Sequence, residues 1–198
     1  MEPLARSLGN EGFSTFNLPY PSARMPIPAL VRHVRGQLAL LDSEQPLHFV
    51  THSLGGIILR ALLAEDTPWR TGRIVMLAPP NGGSEIVDWT ARHPVIRQFL
   101  GPAGRSLGSE GLPSQLPDMP DDTELAVIMG NRCSLPVFSK LLETENDGIV
   151  SASKGKIAGM KEFAVVDADH TFIQMHPEAV RLATGFLQTG TWPSRQAG

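Results

Sequence analysis

Ser53 is the residue of this sequence best placed to act as a nucleophile. It follows the apolar run Leu47–Thr51 and precedes two glycines and an apolar helical run, in the segment LHFVTHSLGGIILRALL. A strand that turns sharply into a helix holds the serine in a strained backbone conformation and lifts its Oγ clear of the sheet. The strand and helix backbones then nearly touch, so the residues two before and two after the serine must be small. Gly55 meets this requirement fully, whereas Thr51 stands where the G-x-S-x-G pattern has its first glycine.

The helix after Ser53 would also stabilise negative charge on a reacting group. Its positive end and the backbone N–H of Leu54 would lie beside a developing oxyanion. The simpler alternative is that Ser53 is an ordinary N-cap, since serine is a preferred capping residue. The position of the serine between an apolar strand and an apolar helix favours the nucleophile.

A serine hydroxyl needs a general base, and the sequence contains six histidines. His170 comes directly after the strand-like run Glu162–Val166, in the segment VVDADHTFI. His176, at the start of the last helical run, is the main alternative. The other four lie in helical segments, at the start of a strand, or beside Ser53 with a side chain expected to point away from Oγ: His33, His93, His48 and His52.

Asp147 is the predicted carboxylate that orients the base. It lies in the segment ENDGIVS, after the strand-like run Leu125–Met129 and a short helical stretch. Asn146 and Gly148 favour a tight turn, which would hold the carboxylate in one pose, although such a turn can also exist without a catalytic role. Two other carboxylates are alternative orienting groups, although both lie so near His170 in sequence that we expect them to point elsewhere: Asp167 and Asp169.

Strands that alternate with helices would position these residues. Three segments have helical spacing: Ala29–Leu41, Ser53–Ala64 and Pro177–Leu187. Such alternation predicts βαβ units and a mainly parallel sheet, with the active site at the carboxyl ends of the strands. The five strand-like runs are Phe13–Phe16, Leu47–Thr51, Arg73–Ala78, Leu125–Met129 and Glu162–Val166.

The segment 79–122 has a different composition, rich in glycine, proline, serine and aspartate. Within it, Ile86–Leu100 predicts one or two helices. They would either form a cap over an acyl pocket or pack against the sheet. We favour packing, because apolar stripes at helical spacing usually face a core.

Four segments in this order resemble small bacterial lipases and esterases of the α/β-hydrolase superfamily: HFVTHSLGG, RIVMLAPPNGGSE, NDGIVS and DHTFI. The resemblance spans nearly the whole chain and implies an α/β three-layer sandwich in a single domain, 1–198. It implies a carboxylic-ester hydrolase that forms an acyl-enzyme and uses no metal or cofactor. Carried over by position, Ser53 is the nucleophile, His170 the general base and then acid, and Asp147 the orienting carboxylate.

Two alternatives remain open beside this interpretation. One is a non-catalytic interaction module with the hydrolase fold that has lost its oxyanion hole. The other is an acyltransferase or thioesterase, in which the same three residues serve a different acceptor or leaving group.

The sequence departs from the family at its beginning. Family members open with several strands, one of which ends in a His-Gly motif that donates an oxyanion N–H, and this sequence contains no His-Gly dipeptide. We therefore expect an N-terminally reduced sheet of about five strands, with Phe13–Phe16 beside Leu47–Thr51 after a right-handed crossover. Unpaired, the edge of Leu47–Thr51 would invite a homodimer. Tyr20, the only tyrosine, is a candidate second oxyanion donor; packing between its flanking prolines is the alternative.

Bulk composition excludes several other classes of protein. The chain has 198 residues, 41% apolar and 19% charged, which suits one globular domain. A net charge of −3 with mixed signs argues against nucleic-acid binding. The single cysteine, Cys133, excludes an intramolecular disulfide framework and cysteine–zinc clusters. No signal-peptide core or membrane span is visible, so we expect a cytoplasmic protein acting on a small-molecule ester.

Overall fold

The computed structural model describes residues 1–41, 44–120, 122–134, 140–143 and 145–194. Its centre is a four-stranded parallel sheet in which each strand pairs with the next one along the chain. The strands are β1 (Leu47–His52), β2 (Thr71–Leu77), β3 (Leu125–Gly130) and β4 (Glu162–Val166).

Helices cover both faces of this sheet, which gives the three-layer α/β sandwich predicted from the sequence. On one face lie α2 (Ile27–Leu38) and α3 (Leu54–Leu63), and on the other lie α1 (Glu2–Asn10) and α8 (Pro177–Thr189). The predicted fold class, an α/β-hydrolase-like sandwich with a parallel sheet, is therefore confirmed.

The two cores form because successive strand residues point to opposite faces of the sheet. In β2, Ile74 and Met76 are buried with α2 and α3, whereas Val75 and Leu77 are buried with α1 and α8. All six residues of β3 are buried, as expected for a strand covered on both sides.

Short helices make up much of the segment between β2 and β3. They are α4 (Glu85–Ala91), α5 (Pro94–Arg97), α6 (Gly101–Gly104), α7 (Leu112–Gln115) and a 3₁₀ turn at Gln98–Leu100. Three side chains of the segment join the core beside α2 and α3: Ala103, Leu107 and Met119. The segment thus packs against the body of the fold, although Val95 remains 71% exposed.

A buried arginine ties this segment to the helix that follows Ser53. The guanidinium of Arg60, on α3, donates to the carbonyl oxygens of Asn81, Leu116 and Pro117, each at 3.2 Å. Because the three acceptors belong to the two ends of the segment, Arg60 holds both ends against α3. Burial lowers the pKa of this guanidinium from its usual value.

The prediction of a strand at Phe13–Phe16 is wrong. The residues are not assigned to a strand, and among the described residues β1 has β2 as its one strand neighbour. Phe16 is 64% exposed, so pairing would bury little apolar surface, and Phe13 instead sets its ring edge-on to His48 at 6.0 Å. The sheet therefore has four strands rather than five, and the homodimer through the β1 edge stays a prediction.

The other four strand predictions agree with the structure to within two residues at either end. Two 3₁₀ turns, Ala152–Gly155 and Ile173–Met175, complete the assigned elements of the described chain. Among the described helices, none has both the length and the apolar character that crossing a membrane requires.

Candidate active site

Ser53 lies at the turn between β1 and α3 with a backbone conformation that L-residues rarely adopt. Its φ is 51° and its ψ is −122°. The Ser53 N–H donates to the carbonyl of Leu77, which holds the turn at the carboxyl end of β2. The strain is sustained because the strand and the helix are both fixed by packing around it.

The close approach of strand and helix appears directly at Gly55. A Cβ added there would lie 3.4 Å from Cβ of Thr51 and 3.2 Å from the hydroxyl of Tyr20. Thr51 therefore fits where the pattern has a glycine, but its hydroxyl is buried without a hydrogen-bond partner. The local geometry is that of a nucleophile elbow.

The side chains of Ser53, His170 and Asp147 form a continuous hydrogen-bonded relay. Ser53 Oγ lies 2.8 Å from His170 Nε2, and His170 Nδ1 lies 2.7 Å from Asp147 Oδ2. A carboxylate only accepts, so Nδ1 carries the ring proton of a neutral His170 and Nε2 accepts from the hydroxyl. Ser53 is the N-cap residue of α3 by position, but its side chain makes no capping hydrogen bond to the helix.

The turn that carries Asp147 leaves its carboxylate little freedom. Oδ1 accepts from the backbone N–H groups of Ile149 at 3.0 Å and Val150 at 2.8 Å, while Oδ2 faces His170. Asn146 accepts from the N–H of Gly148, which closes the tight turn expected from the sequence. The side chain of Asp147 is fully buried, and these three bonds compensate for its desolvation.

The alternative base, His176, and the alternative carboxylate, Asp169, have other contacts than the relay. His176 is the N-cap residue of α8, and its Nδ1 is buried without a partner. Asp169 accepts from the backbone N–H groups of Thr171 and Phe172, so its carboxylate closes the turn that follows His170.

The loop that carries His170 must cross the sheet to reach Ser53. Ser53 follows the edge strand β1, whereas His170 follows β4 at the opposite edge. Three strand spacings separate those edges, about 14 Å at the usual distance between strands. The relay therefore depends on contacts that hold the loop over the carboxyl ends of the middle strands.

Gly130, the last residue of β3, makes this crossing possible. A Cβ added there would overlap the carbonyl oxygen of Ala168, in the crossing loop, and would lie 3.0 Å from Cβ of Asp147. Beside it, Arg132 donates its backbone N–H to the carbonyl of Ala168 at 3.1 Å. Gly130 was not among the residues singled out from the sequence, because the contact exists only after β4 and its loop have folded.

His52, the residue before Ser53, contacts the same loop. Its Nε2 lies 2.7 Å from the backbone carbonyl oxygen of His170, and the two rings lie 5.1 Å apart between centroids. Burial, followed by the nearby charge of His170, lowers the pKa of His52 from 6.5 to about 4. His52 is thus neutral near pH 7 and donates Nε2–H to that carbonyl. From the sequence we expected only that the His52 side chain points away from Oγ, which did not predict its contact with the His170 carbonyl.

The predicted oxyanion donors lie at the first turn of α3. Leu54 is the first residue of that helix, so its N–H has no acceptor within the helix. The hydroxyl of Tyr20 lies against Gly55, the second residue of the helix, and burial raises the pKa of this hydroxyl. Tyr20 is therefore protonated near neutral pH and able to donate; its role as a donor stays a prediction.

No group of three or more histidine, cysteine, aspartate or glutamate residues in the described ranges is arranged to hold a metal ion. Cys133 is partly buried, in the loop that follows β3.

Replacement of Gly130 by alanine tests whether the loop after β4 passes closely over the end of β3. We expect Gly130→Ala to destabilise the protein by about 1–3 kcal/mol, because the new methyl group overpacks the contact with Ala168 and Asp147. Urea unfolding measures the change. Gly36→Ala in α2 is the matched control, because a Cβ there meets no atom within 4 Å, and it should stabilise by about 0.5–1 kcal/mol. A Gly130→Ala protein as stable as wild type would contradict the crowding at this strand end.

The lowered pKa of His52 predicts a dependence of stability on pH. Protonation favours the unfolded chain, because the folded pKa of about 4 lies below the unfolded value of 6.5. The contribution is therefore complete above pH 6.5 and is lost as the pH falls towards 4, by about 3 kcal/mol in all. Unfolding free energies between pH 7 and pH 4 should fall more steeply for wild type than for His52→Gln, which cannot titrate. Parallel pH curves for the two proteins would contradict the assignment.

Solved structures of three hydrolases are similar to this chain. The lipase BlEst2 of Bacillus licheniformis, in its mature form, has 18% identity and a TM-score of 0.68 over 95% of this chain and 83% of the lipase. The metagenomic carboxyl esterase MGS0156 has 18% identity and a TM-score of 0.59 over 96% of this chain and 64% of the esterase. The phospholipase PlaB of Legionella pneumophila has 21% identity and a TM-score of 0.60 over 77% of this chain and 41% of the phospholipase.

By sequence, no protein-family model and no curated protein matches the chain. The likeness is therefore one of fold. In this chain that fold is a parallel sheet between helical layers, with a strand-to-helix turn that carries Ser53 at the carboxyl ends of the strands. This chain has the α/β-hydrolase fold.

Proposed function

We propose that this protein is a carboxylic-ester hydrolase that uses Ser53 as its nucleophile. The relay carries the proposal: Oγ of Ser53 lies 2.8 Å from His170 Nε2, and His170 Nδ1 lies 2.7 Å from Asp147 Oδ2. The first distance lies within the range in which a general base takes a proton, and the second is that of a hydrogen bond to a carboxylate. The strained turn at Ser53 supports the same role, because it presents Oγ at the end of the sheet.

In the acylation step, Oγ of Ser53 attacks the ester carbonyl carbon and its proton passes to Nε2 of His170. The carbonyl oxygen becomes an oxyanion, which accepts the N–H of Leu54 and lies at the positive end of α3. The bond to the alcohol oxygen then breaks, and the alcohol leaves with the proton from Nε2. Water repeats the sequence on the acyl-enzyme and releases the acid.

Asp147 keeps the imidazole in the productive tautomer. Its Oδ2 accepts from Nδ1, so Nε2 presents a lone pair to Ser53, and the buried carboxylate stabilises the imidazolium that forms. Because Oδ1 is held by two backbone N–H groups, the carboxylate does not have to reorganise during the reaction.

The three similar structures bear on this proposal through their names. A lipase, a carboxyl esterase and a phospholipase all act on esters, which agrees with ester hydrolysis here. At identities of 18% to 21%, the likeness supports the fold alone, and the reaction class rests on the relay itself. Small, short-chain esters are the proposed substrates, because the helices of the segment between β2 and β3 are short and pack on the core.

Hydrolysis of a short p-nitrophenyl ester tests the proposal. Turnover should fall at least about 10⁴-fold in Ser53→Ala, because the nucleophile is lost. An activated phosphonate should label Ser53 in the wild-type protein, as read by peptide mass spectrometry. Ser114→Ala is the matched control, since Ser114 is exposed and its hydroxyl bonds to the carbonyl of Gly111.

The possible outcomes separate the alternatives. Turnover that survives in Ser53→Ala would refute the proposed nucleophile. A folded wild-type protein that neither turns over the ester nor reacts with the phosphonate would be a non-catalytic module. Faster reaction with thioesters or with added acceptor alcohols would assign the relay to a thioesterase or an acyltransferase.

Tyr20 is our proposed second oxyanion donor. Its hydroxyl lies at the first turn of α3 and is protonated near neutral pH, as a donor must be. Tyr20→Phe should lower kcat by about 10²-fold, the usual effect of losing one oxyanion donor, with little change in KM or Tm. Steady-state kinetics and thermal unfolding provide the measurements. Wild-type kcat in Tyr20→Phe would assign this side chain to packing instead.

A further inference from the structure

We propose that His52 is a positioning residue that holds the loop of His170 in reach of Ser53 by donating Nε2–H to the His170 carbonyl oxygen. The inference rests on the proposed function, because it concerns the geometry of the same relay. Its basis is the contact of 2.7 Å between His52 Nε2 and that carbonyl, together with the path of the loop.

The path of the loop after β4 explains why a contact near the end of β1 is needed. His170 leaves β4, at one edge of the sheet, and its imidazole meets a hydroxyl that follows β1, at the other edge. A loop that spans about 14 Å from its own strand has many arrangements open to it unless its far end is attached. A displacement of about 1 Å is enough to lower turnover about a hundredfold.

On the near side, the loop is attached to the segment that follows β3 and to the turn that carries the carboxylate. Arg132 donates to the carbonyl of Ala168, and the backbone N–H of His170 donates to the carbonyl of Asp147 at 3.0 Å. Asp147 also bonds the imidazole itself. These contacts fix where the loop passes over the end of β3, but none of them reaches β1.

On the far side, His52 supplies that attachment. It is the last residue of β1 and the direct neighbour of Ser53, so any movement of Ser53 moves His52 as well. The backbone of His170 is therefore held between two elements: its N–H by Asp147 and its carbonyl by His52. The imidazole of His170 and the hydroxyl of Ser53 are therefore both positioned by the end of β1.

The surroundings of His52 suit a neutral donor. Burial lowers its pKa to about 4, so the ring carries no charge near pH 7. A second cation 5.1 Å from the His170 ring would oppose formation of the imidazolium during turnover, and a neutral ring avoids this. His52 thus provides a hydrogen bond and a packing surface without adding charge.

Three variants separate positioning from general stability. His52→Phe keeps a ring but loses the donor, whereas His52→Gln loses the ring and keeps an amide N–H donor of similar reach. His48→Phe is the matched control on the same strand, because His48 Nδ1 accepts from the backbone N–H of Arg73 at 2.8 Å, away from the relay. Each variant is assayed for kcat, KM and Tm with the p-nitrophenyl ester.

We expect His52→Phe to lower kcat about 10- to 100-fold with KM within about twofold. His52→Gln should restore most of that kcat, and His48→Phe should lower Tm while keeping the wild-type kcat. A wild-type kcat in His52→Phe, no rescue by glutamine, or an equal loss of kcat in His48→Phe would each overturn the positioning role.

A second readout does not depend on turnover. The proton that His170 Nδ1 shares with Asp147 should give a downfield ¹H NMR signal that is sharp in wild type and His52→Gln, and broadened or lost in His52→Phe. If wild type proves inactive on esters, the proposed function fails, and this signal still decides the positioning role. An unchanged signal in His52→Phe would overturn it.

Discussion

The relay depends on bringing together two groups that leave opposite edges of one sheet. The hydroxyl of Ser53 follows β1 and the imidazole of His170 follows β4, with β2 and β3 between them. A parallel sheet places all its carboxyl ends along one side, so both groups start on the correct side of the molecule. The remaining distance is covered by the loop after β4, and the local features of the site serve to let that loop pass and to hold it.

Room for the loop comes from a missing side chain, and its attachment comes from backbone groups. Gly130 ends β3 without a Cβ, so the carbonyl of Ala168 passes directly over it, beside Asp147. The N–H and the carbonyl of His170 are then engaged by Asp147 and His52. These contacts use backbone groups that would otherwise be unpaired in a half-buried loop, so they stabilise the loop and orient its side chain together.

At the other end of the relay, the constraint is the tight packing of β1 against α3. The strained backbone of Ser53 persists because the strand pairs with β2 and the helix is buried on the core. Arg60, on the buried side of α3, extends this rigidity to the segment between β2 and β3. Ser53 thus lies between a paired strand and a buried helix, whereas His170 lies on a loop that hydrogen bonds hold beside it.

The sequence by itself determined the elements and the chemical types at the site. Four of the five strand-like runs, the serine turn and three of the four helices that cover the sheet (α2, α3 and α8) follow from local apolar periodicity, because strands and helices form from neighbouring residues. Asp147 and His170 stood out because each follows a strand. The exception was Phe13–Phe16, a short apolar run without a burial partner, which local pattern could not distinguish from a strand.

Only the tertiary structure decided which residues hold those groups together. Gly130 and His52 act across gaps of 38 and 118 residues, through contacts with Ala168 and the carbonyl of His170, and sequence periodicity carries no record of such pairs. That His170 rather than His176 lies beside Ser53 likewise depends on the path of the loop after β4. Distances between loops depend on how a whole sheet twists and packs, and that is a property of the assembled fold rather than of any segment.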